Sequence, residues 1–225
     1  YLSLSKHLIT TKMLKYFYSS HNLDTVVKFF MRFFIAALVL ILSFQSWAKA
    51  DDITDFEIEG ISIGDSVLKY YTTKELNSFY KINYPKSNKY IGYEIPDSLS
   101  KIKFNNYESI TLHWQSDDNE MKIVSISGIN LYPNNLDKCL YERDKISLNI
   151  KSILKNSISD EFNGNFGSGN DSKAYNIEHV VNSGSIKIWC TDWDKKTEKK
   201  NDWEDDLNIA IALKEFLFWL DNEAY

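Results

Sequence analysis

The chain has 225 residues, of which 26 are basic and 31 are acidic, and its formal net charge is −5 at pH 7. Nucleic acids and anionic membrane surfaces are bound mainly through basic patches, so this balance argues against both classes of partner. The eight glycines and three prolines give few turn signals, which makes the predicted element boundaries less sharp than usual.

Residues 31–50 have the pattern of an export signal. A short basic start is followed by an uncharged apolar run at 33–44 and by the small-x-small pattern of Ala48 and Ala50. This pattern predicts cleavage before Asp51 and a periplasmic or secreted location. The alternative is an inner-membrane signal anchor, but the apolar run has about a dozen residues, whereas a membrane-spanning helix needs about 20. We therefore expect no stable membrane span after the cleavage point.

Residues 1–30 precede a signal that has its own Met31, so we interpret them as an upstream or extended n-region outside the fold. Residues 51–225 are then predicted to form a single domain. Removing 1–50 takes away six basic residues and one acidic residue, which leaves 20 and 30 and a net charge of about −10. This charge predicts an acidic, soluble surface.

Short runs of alternating apolar and polar residues predict the strands of an antiparallel sheet. The clearest pair, 107–115 and 121–132, is separated by a polar turn and ends at Pro133, which has no N–H to donate to a neighbouring strand. Residues 162–173 are rich in glycine and 194–205 are highly charged, so both segments are predicted to be loops. Further strands are predicted at 55–63, 90–95, 174–182, 185–192 and 207–213.

One long amphipathic helix is predicted at 136–156, because apolar residues recur there at steps of three and four. Short helices are predicted near 66–80, where Thr72 and Glu75 have the spacing of a capping box. A short closing helix is predicted at 214–220. Together these elements predict an α+β domain. Its sheet is mostly antiparallel with about five or six strands, and the long helix packs on it.

The two cysteines of the chain are predicted to form a disulfide. Cys139 falls on the apolar face of the first turn of the long helix, and Cys190 falls in a strand of the sheet that this face covers. Exported proteins fold in oxidising compartments, where such a pair is usually oxidised. Two buried free thiols are the alternative, whereas a redox-active pair would be expected to have Cys-x-x-Cys spacing.

Three segments of the sequence carry a resemblance to a known group of proteins. Residues 55–71, 128–146 and 189–193 resemble uncharacterised secreted proteins of Pelagibacter-like marine alphaproteobacteria. The resemblance implies an exported bacterial protein and no particular activity. At the level of fold alone, 60–80 is similar to small periplasmic modules of outer-membrane-assembly lipoproteins, although the lipidated cysteine of those modules is absent.

The sequence has no recognisable catalytic signature. His113 and His179 are the only histidines after the signal, and each falls within a predicted strand, where we expect an ordinary half-exposed residue. No serine stands in a Gly-x-Ser-x-Gly elbow, and no His-Glu-x-x-His motif or cluster of His and Cys is present. We therefore predict no catalytic residue, no metal ligand and no cofactor.

An acidic stretch interleaved with tryptophan is the most suggestive feature for ligand binding. Hard cations prefer several oxygen ligands, and exposed tryptophan faces stack on sugar rings or bind cations. The alternative is a solvated acidic loop whose tryptophans cover the edge of the core, and nearby lysines offset part of its charge. The candidate ligand or metal loop consists of Asp192, Trp193, Asp194, Trp203, Glu204 and Asp205, with Asp202 and Asp206 in the same stretch.

These observations favour a non-catalytic periplasmic or secreted protein. Such a protein would be associated with the envelope, or would bind a protein or a small ligand in that compartment. One alternative is an envelope hydrolase whose catalytic carboxylates are scattered along the chain and form no recognisable motif. Another is a calcium- or glycan-binding module. A pocket with converging carboxylates, or one that includes His113, would favour the hydrolase, and a shallow face would favour the binding protein.

Overall fold

An eight-stranded antiparallel sheet forms the centre of the fold, accompanied by a small two-stranded ribbon. The computed structural model describes residues 52–165 and 171–225. The strands are β1 Glu57–Ile58, β2 Ile61–Ser62, β3 Tyr80–Ile82, β4 Tyr90–Pro96, β5 Ser109–Gln115, β6 Ile123–Leu131, β7 Ile158–Asn165, β8 Lys173–Val181, β9 Gly184–Asp192 and β10 Asp206–Leu213.

The structure describes four helices, of which the second is the longest. They are α1 Thr73–Leu76, α2 Leu136–Ile153, α3 Lys195–Asn201 and α4 Lys214–Asn222, with 3-10 turns at Ile53–Asp55 and Val67–Lys69. The predicted capping box of α1 is present, since the Thr72 Oγ1 accepts the Glu75 N–H and the Glu75 carboxylate accepts the Thr72 N–H. Asn135 caps α2 by accepting the Lys138 N–H at 3.3 Å.

The sheet consists of two four-stranded meanders that meet at one strand pair. Its order is β3-β4-β5-β6-β10-β9-β8-β7, and every neighbouring pair is antiparallel. The meander β3 to β6 comes first in the chain, and β7 to β10 follows after α2. The strand β10 then pairs with both β9 and β6, from Asp206 opposite Leu131 to Ala212 opposite Ser125. The last strand therefore joins the two halves.

One side of the sheet, which we call the core face, carries the main hydrophobic core. Side chains alternate between the two faces along each strand, and Ile110, Leu112, Ile126, Ile188 and Ile209 all lie on this side and are buried. The helix α2 packs on this face against β8, β9 and β10. Residues 53–79 cover the part of the core face that α2 leaves free.

The other side, which we call the open face, is defined by Glu94, Thr111, Ser127, Ala210 and Lys187, which occupy one register row across β4, β5, β6, β10 and β9. Small and polar residues dominate this row. A sheet face that packs on a core would be expected to carry larger apolar side chains there. The residue types therefore distinguish the open face from the core face.

The helix α4 covers one end of the open face with a second, smaller hydrophobic cluster. Trp219 is fully buried, and its ring lies 4.7 Å from that of Tyr84 and 4.8 Å from that of Tyr90. Phe216 packs 4.8 Å from the His113 ring. The far end of the open face, beyond this cluster, is where accessible aromatic residues are found.

The predicted α+β class, the antiparallel sheet and the long helix are confirmed, but the count of about five or six strands is wrong. The strands β3 and β7 were missed because they are the two edges of the sheet. All eight residues of β7 are exposed, so no buried face imposes an alternating pattern on its sequence. Residues 158–165 therefore belong to a strand that extends into the segment predicted as a glycine-rich loop.

Three predictions about helical segments also need correction. The long helix ends at Ile153 rather than at 156, and the buried Leu154 leaves the helical conformation there. The charged segment 194–205 contains the helix α3, which has no buried residue and so shows no apolar periodicity. The predicted helical region 66–80 is a 3-10 turn followed by the four-residue α1, and Tyr80 already begins β3.

Some predictions fall outside the described residues. The signal segment 31–50, the cleavage-site residues Ala48, Ala50 and Asp51, and the upstream segment 1–30 all lie there. Within 52–165 and 171–225, none of the helices has the length and apolar character needed to cross a bilayer.

The predicted disulfide is present between Cys139 and Cys190. The two Cα atoms lie 6.0 Å apart, and both side chains are buried between α2 and the sheet. The bond attaches the first turn of α2 to β9. This strand belongs to the second meander and is separated from β6 by β10. The disulfide therefore fixes the helix to the half of the sheet that follows it in the chain.

Replacing both cysteines by alanine is expected to lower the free energy of unfolding by about 4 kcal/mol, because a cross-link of this span restricts the unfolded chain. The two residues are 51 positions apart. Urea denaturation of the oxidised wild type and of the C139A/C190A variant measures the difference. Mass spectrometry of non-reduced peptides is the control, and a free thiol at Cys139 in oxidised protein would contradict the assignment.

Candidate ligand-binding site

A cavity of about 460 Å³ opens on the far end of the open face, and we call it the tryptophan pocket. Its walls come from β3, β4, β6 and β10 and from the segment between β9 and β10. A volume of this size lies within the range of small-molecule sites. The lining residues are Tyr80, Glu94, Ile129, Leu131, Trp193, Asp202, Trp203, Glu204 and Asp206.

The two tryptophans are brought together by the short helix α3. Asp194 begins the helix, because its Oδ1 accepts the N–H groups of Lys196 and Thr197 at 3.0 and 3.1 Å. Asp202 ends it in the left-handed conformation with φ of 57°, which turns the chain back. The rings of Trp193 and Trp203 then meet with centroids 4.7 Å apart, and Trp203 remains 48% exposed.

Asp205 and Asp206 accept hydrogen bonds that position Trp193 in the wall of the pocket. The carboxylate of Asp205 is buried and accepts the Trp193 backbone N–H at 2.9 Å. The carboxylate of Asp206 accepts the indole N–H of Trp193 at 3.2 Å and a hydrogen bond from the Asn208 amide. The two neighbouring carboxylates thus fix both the backbone and the ring of one tryptophan.

Burial shifts the acidity of both carboxyl groups. Removal from water raises the pKa of Asp206 to about 6, and the neighbouring Asp205 charge adds to this, while hydrogen bonds from Thr191, Trp193 and Asn208 oppose it. Burial also raises the pKa of Asp205 above its ordinary value. Asp206 is therefore a pocket carboxyl that changes charge near neutral pH.

The opposite wall combines apolar and polar side chains from the first meander. Tyr80 on the edge strand β3 is 68% exposed, and Leu131 at the end of β6 is 42% exposed. Glu94 on β4 accepts a hydrogen bond from Ser109 Oγ at 3.1 Å. Exposed aromatic and aliphatic side chains on one side thus face carboxylates and tryptophans on the other.

The charge of the pocket has a single sign. Glu94, Asp202, Glu204 and Asp206 are among its nine lining residues, and none of these nine is lysine, arginine or histidine. Within the part of the chain that the structure describes, no group of three or more His, Cys, Asp or Glu side chains is arranged to hold a metal ion. The acidic residues therefore line a cavity instead of converging on one point.

The six predicted loop residues have different roles in the structure. Trp193, Trp203 and Glu204 line the pocket, whereas Asp194 caps α3 and Asp205 supports Trp193 from beneath. Asp192 closes β9 and is not among the lining residues. The sequence prediction missed Tyr80, Glu94, Ile129 and Leu131, which approach the tryptophans only through the pairing of distant strands.

A second cavity of about 500 Å³ lies on the open face beside α4. Its lining includes Asp52, Glu178 and Lys214, so both signs of charge are present, and no aromatic residue contributes to it. The carboxylate of Glu178 already accepts a hydrogen bond from Ser185 Oγ at 2.5 Å. The tryptophan pocket is the better ligand site because its aromatic walls and uniform charge define a binding chemistry.

Neither histidine lies in the tryptophan pocket, and the prediction that both are half-exposed is wrong. His113 is buried beneath α4, with its Nε2 hydrogen-bonded to the Tyr84 hydroxyl at 2.7 Å. His179 is buried beneath α2, with its Nε2 at 2.9 Å from Ser147 Oγ. In both, Nδ1 has no hydrogen-bond partner among the described residues. A base enclosed in this way cannot reach a substrate.

The chain matches none of the known protein families, curated proteins or solved structures with which it was compared. The resemblance of 55–71, 128–146 and 189–193 to secreted marine bacterial proteins therefore stays an expectation. Function has to be inferred from the geometry and chemistry of the site.

Acid is expected to destabilise the protein partly through His113. Burial lowers the pKa of its imidazole from 6.5 to about 3, so the stability that the neutral ring contributes is present above pH 6.5 and is lost as the pH falls toward 3. The variant His113→Gln keeps a hydrogen-bonding group near Tyr84 but does not titrate. Urea denaturation at pH 7, 5.5 and 4 should show a shallower loss of stability for the variant, and equal slopes would contradict this prediction.

Asp206 is expected to have the opposite effect on pH dependence. Because its folded-state pKa is raised from 3.8 to about 6, the stability associated with its protonated form is present below pH 3.8 and is lost as the pH rises through 6. The stability of Asp206→Asn relative to wild type should therefore improve by up to about 3 kcal/mol between pH 4 and pH 8. Urea denaturation of both proteins across this pH range measures the difference, and a constant difference would contradict the prediction.

Proposed function

We propose that this protein is a non-catalytic binding protein of the periplasm or the secreted fraction, and that it holds its ligand in the tryptophan pocket. The observation that carries the proposal is the pocket itself, a concave site with exposed aromatic walls and carboxylates. Binding sites for small ligands are typically concave, largely apolar and equipped with a few polar groups. The tryptophan pocket is concave and combines aromatic and aliphatic walls with four carboxyl groups.

An extracytoplasmic location is supported by two independent features. The buried Cys139–Cys190 disulfide is of a kind that persists in oxidising compartments. The export pattern of 31–50, with Ala48 and Ala50 before Asp51, would deliver the domain to such a compartment. Both features would be consistent with a protein associated with the bacterial envelope.

Binding is favoured over catalysis because the histidines lie outside the pocket and its two strand carboxylates, Glu94 and Asp206, are far apart. The buried His113 and His179 have no access to the pocket. Glu94 and Asp206 lie on strands that are three positions apart, and Asp206 is four residues along β10 from Ala210, which shares the register row of Glu94. Their backbones are therefore more than about 14 Å apart. The carboxyl groups of glycoside hydrolases are about 5 to 9.5 Å apart.

An envelope hydrolase is the second candidate, and one observation favours it. The raised pKa of Asp206, about 6, is of the kind that a general acid requires near neutral pH. Asp202 and Glu204 line the same pocket and would be its partners. This candidate predicts turnover of a bound substrate, which the binding protein would not show.

Titration of the purified protein with choline, cellotetraose and calcium chloride, followed by tryptophan fluorescence, tests the proposal. We expect at least one of the two organic probes to change the fluorescence, because Trp193 and Trp203 line the pocket. The variant Trp203→Ala should weaken this binding at least tenfold. The matched control is Trp189→Ala, which removes a half-buried tryptophan of the open face that does not line the pocket.

The same mixtures also separate the two candidate functions. Chromatography of cellotetraose after prolonged incubation at pH 5 to 8 should show no shorter products. Products that disappear in Asp206→Asn would establish the hydrolase instead. No response to any probe, or an equal loss in both tryptophan variants, would contradict binding in the tryptophan pocket.

A further inference from the structure

The lining of the tryptophan pocket leaves negative charge without an internal counter-ion. Asp202 and Glu204 are exposed, and Glu94 and Asp206 are half-buried. Lys195, which lies in the adjacent helix α3, donates to Asn134 Oδ1 at 2.6 Å and pairs with Glu198 at 2.8 Å. This lysine is thus paired outside the pocket, and the acidic lining attracts positive charge from outside.

Among the described residues, the exposed rings of the pocket also have no basic side chain over them, unlike several other aromatic rings. Lysines lie over several aromatic rings outside the pocket: Lys187 is 5.4 Å from the centroid of Trp189, and Lys69 is 4.9 Å from that of Tyr70. Within 52–165 and 171–225, no lysine or arginine is placed in this way over Trp203 or Tyr80. These two exposed rings are therefore available for a cation–π contact with a ligand.

The shape and hydrogen bonding of the site favour an organic cation over a metal ion. The oxygens of Asp206 already accept hydrogen bonds from Trp193 and Asn208, which leaves them poorly placed to enter a metal coordination shell. Ile129 and Leu131 add apolar wall that a hydrated metal ion would not use. Methyl groups around a diffuse positive charge would contact these walls and the indole rings together.

We propose that the tryptophan pocket binds a small organic cation that carries a methylated ammonium group. The ammonium group lies against the exposed ring of Trp203, with Asp206 and Glu204 as its counter-charges, and its methyl groups contact Ile129 and Leu131. This inference rests on the proposed function, because it specifies the ligand class of the same pocket.

Binding of such a cation is linked to the protonation of Asp206. A bound positive charge favours the ionised carboxyl, so affinity falls by up to about tenfold per pH unit below pH 6. The other carboxyl groups around it are Asp205 beneath the pocket and Glu94, Asp202 and Glu204 in its lining. All of these groups are acidic, and no basic side chain is among the nine lining residues of the pocket.

The test compares choline with 3,3-dimethylbutan-1-ol, a neutral molecule of the same shape in which carbon replaces the charged nitrogen. Isothermal titration calorimetry of the purified protein at pH 7.5 and low salt should give at least tenfold tighter binding of choline. The variants Trp203→Ala and Glu204→Gln should weaken choline binding, and Asp206→Asn should do so most. The exposed Asp221→Asn on α4 is the matched charge control and should bind choline like the wild type, with thermal melting confirming that all variants are folded.

The other possible results of these titrations would contradict one or both proposals. Equal binding of choline and its neutral isostere, or binding of cellotetraose alone, would overturn the cation inference while leaving a ligand-binding pocket in place. Binding of none of these probes would overturn both proposals. Choline binding with unchanged affinity from pH 7.5 to pH 5, or with wild-type affinity in Asp206→Asn, would also overturn the inference, because Asp206 would not then be the counter-charge.

Discussion

The pairing of β10 with β6 is the contact on which the rest of the structure depends. The strand comes last in the sheet-forming part of the chain, yet it lies at the centre of the sheet, where the two four-stranded meanders meet. Its register sets Asp206 opposite Leu131 on one side and Thr191 on the other. The two walls of the tryptophan pocket belong to different meanders, so the pocket exists only when this pair has formed. Such a long-range pairing also requires closure of a long loop before its contacts can form.

The two faces of the sheet have different roles: the core face carries the main hydrophobic core, and the open face carries the candidate binding site. The core face is closed by α2, which the Cys139–Cys190 disulfide holds against β9, and by the amino-terminal segment. The open face is closed only at the α4 end, where Trp219 and Phe216 enclose His113. Buried imidazoles without a partner on Nδ1 are tolerated while they are neutral. The exposed carboxylates Asp202 and Glu204 lie at the other end, where contact with water keeps their charge less costly.

Local sequence patterns predict those elements in which apolar residues recur at a regular spacing. The strands β5 and β9 and the helix α2 alternate or repeat in this way, and their predicted positions agree with the structure to within a few residues. The edge strand β7 is exposed throughout and the helix α3 has no buried residue, so neither leaves a periodic signal. In the candidate site, the acidic and tryptophan-rich composition indicated Trp193 and Trp203. This composition did not distinguish the role of Glu204, which lines the pocket, from that of Asp194, whose carboxylate caps α3.

The sequence by itself determined the class of the fold, the disulfide between Cys139 and Cys190 and the presence of carboxylates beside tryptophans, because each depends on residue type and short-range spacing. Only the tertiary structure decided that Tyr80, Glu94, Ile129 and Leu131 complete a pocket with those tryptophans. Contacts between residues more than 60 positions apart follow from strand order and register, which local periodicity does not encode. The same reason explains the two histidines: each lies in a predicted strand, but its burial is set by a helix that packs over it from elsewhere in the chain.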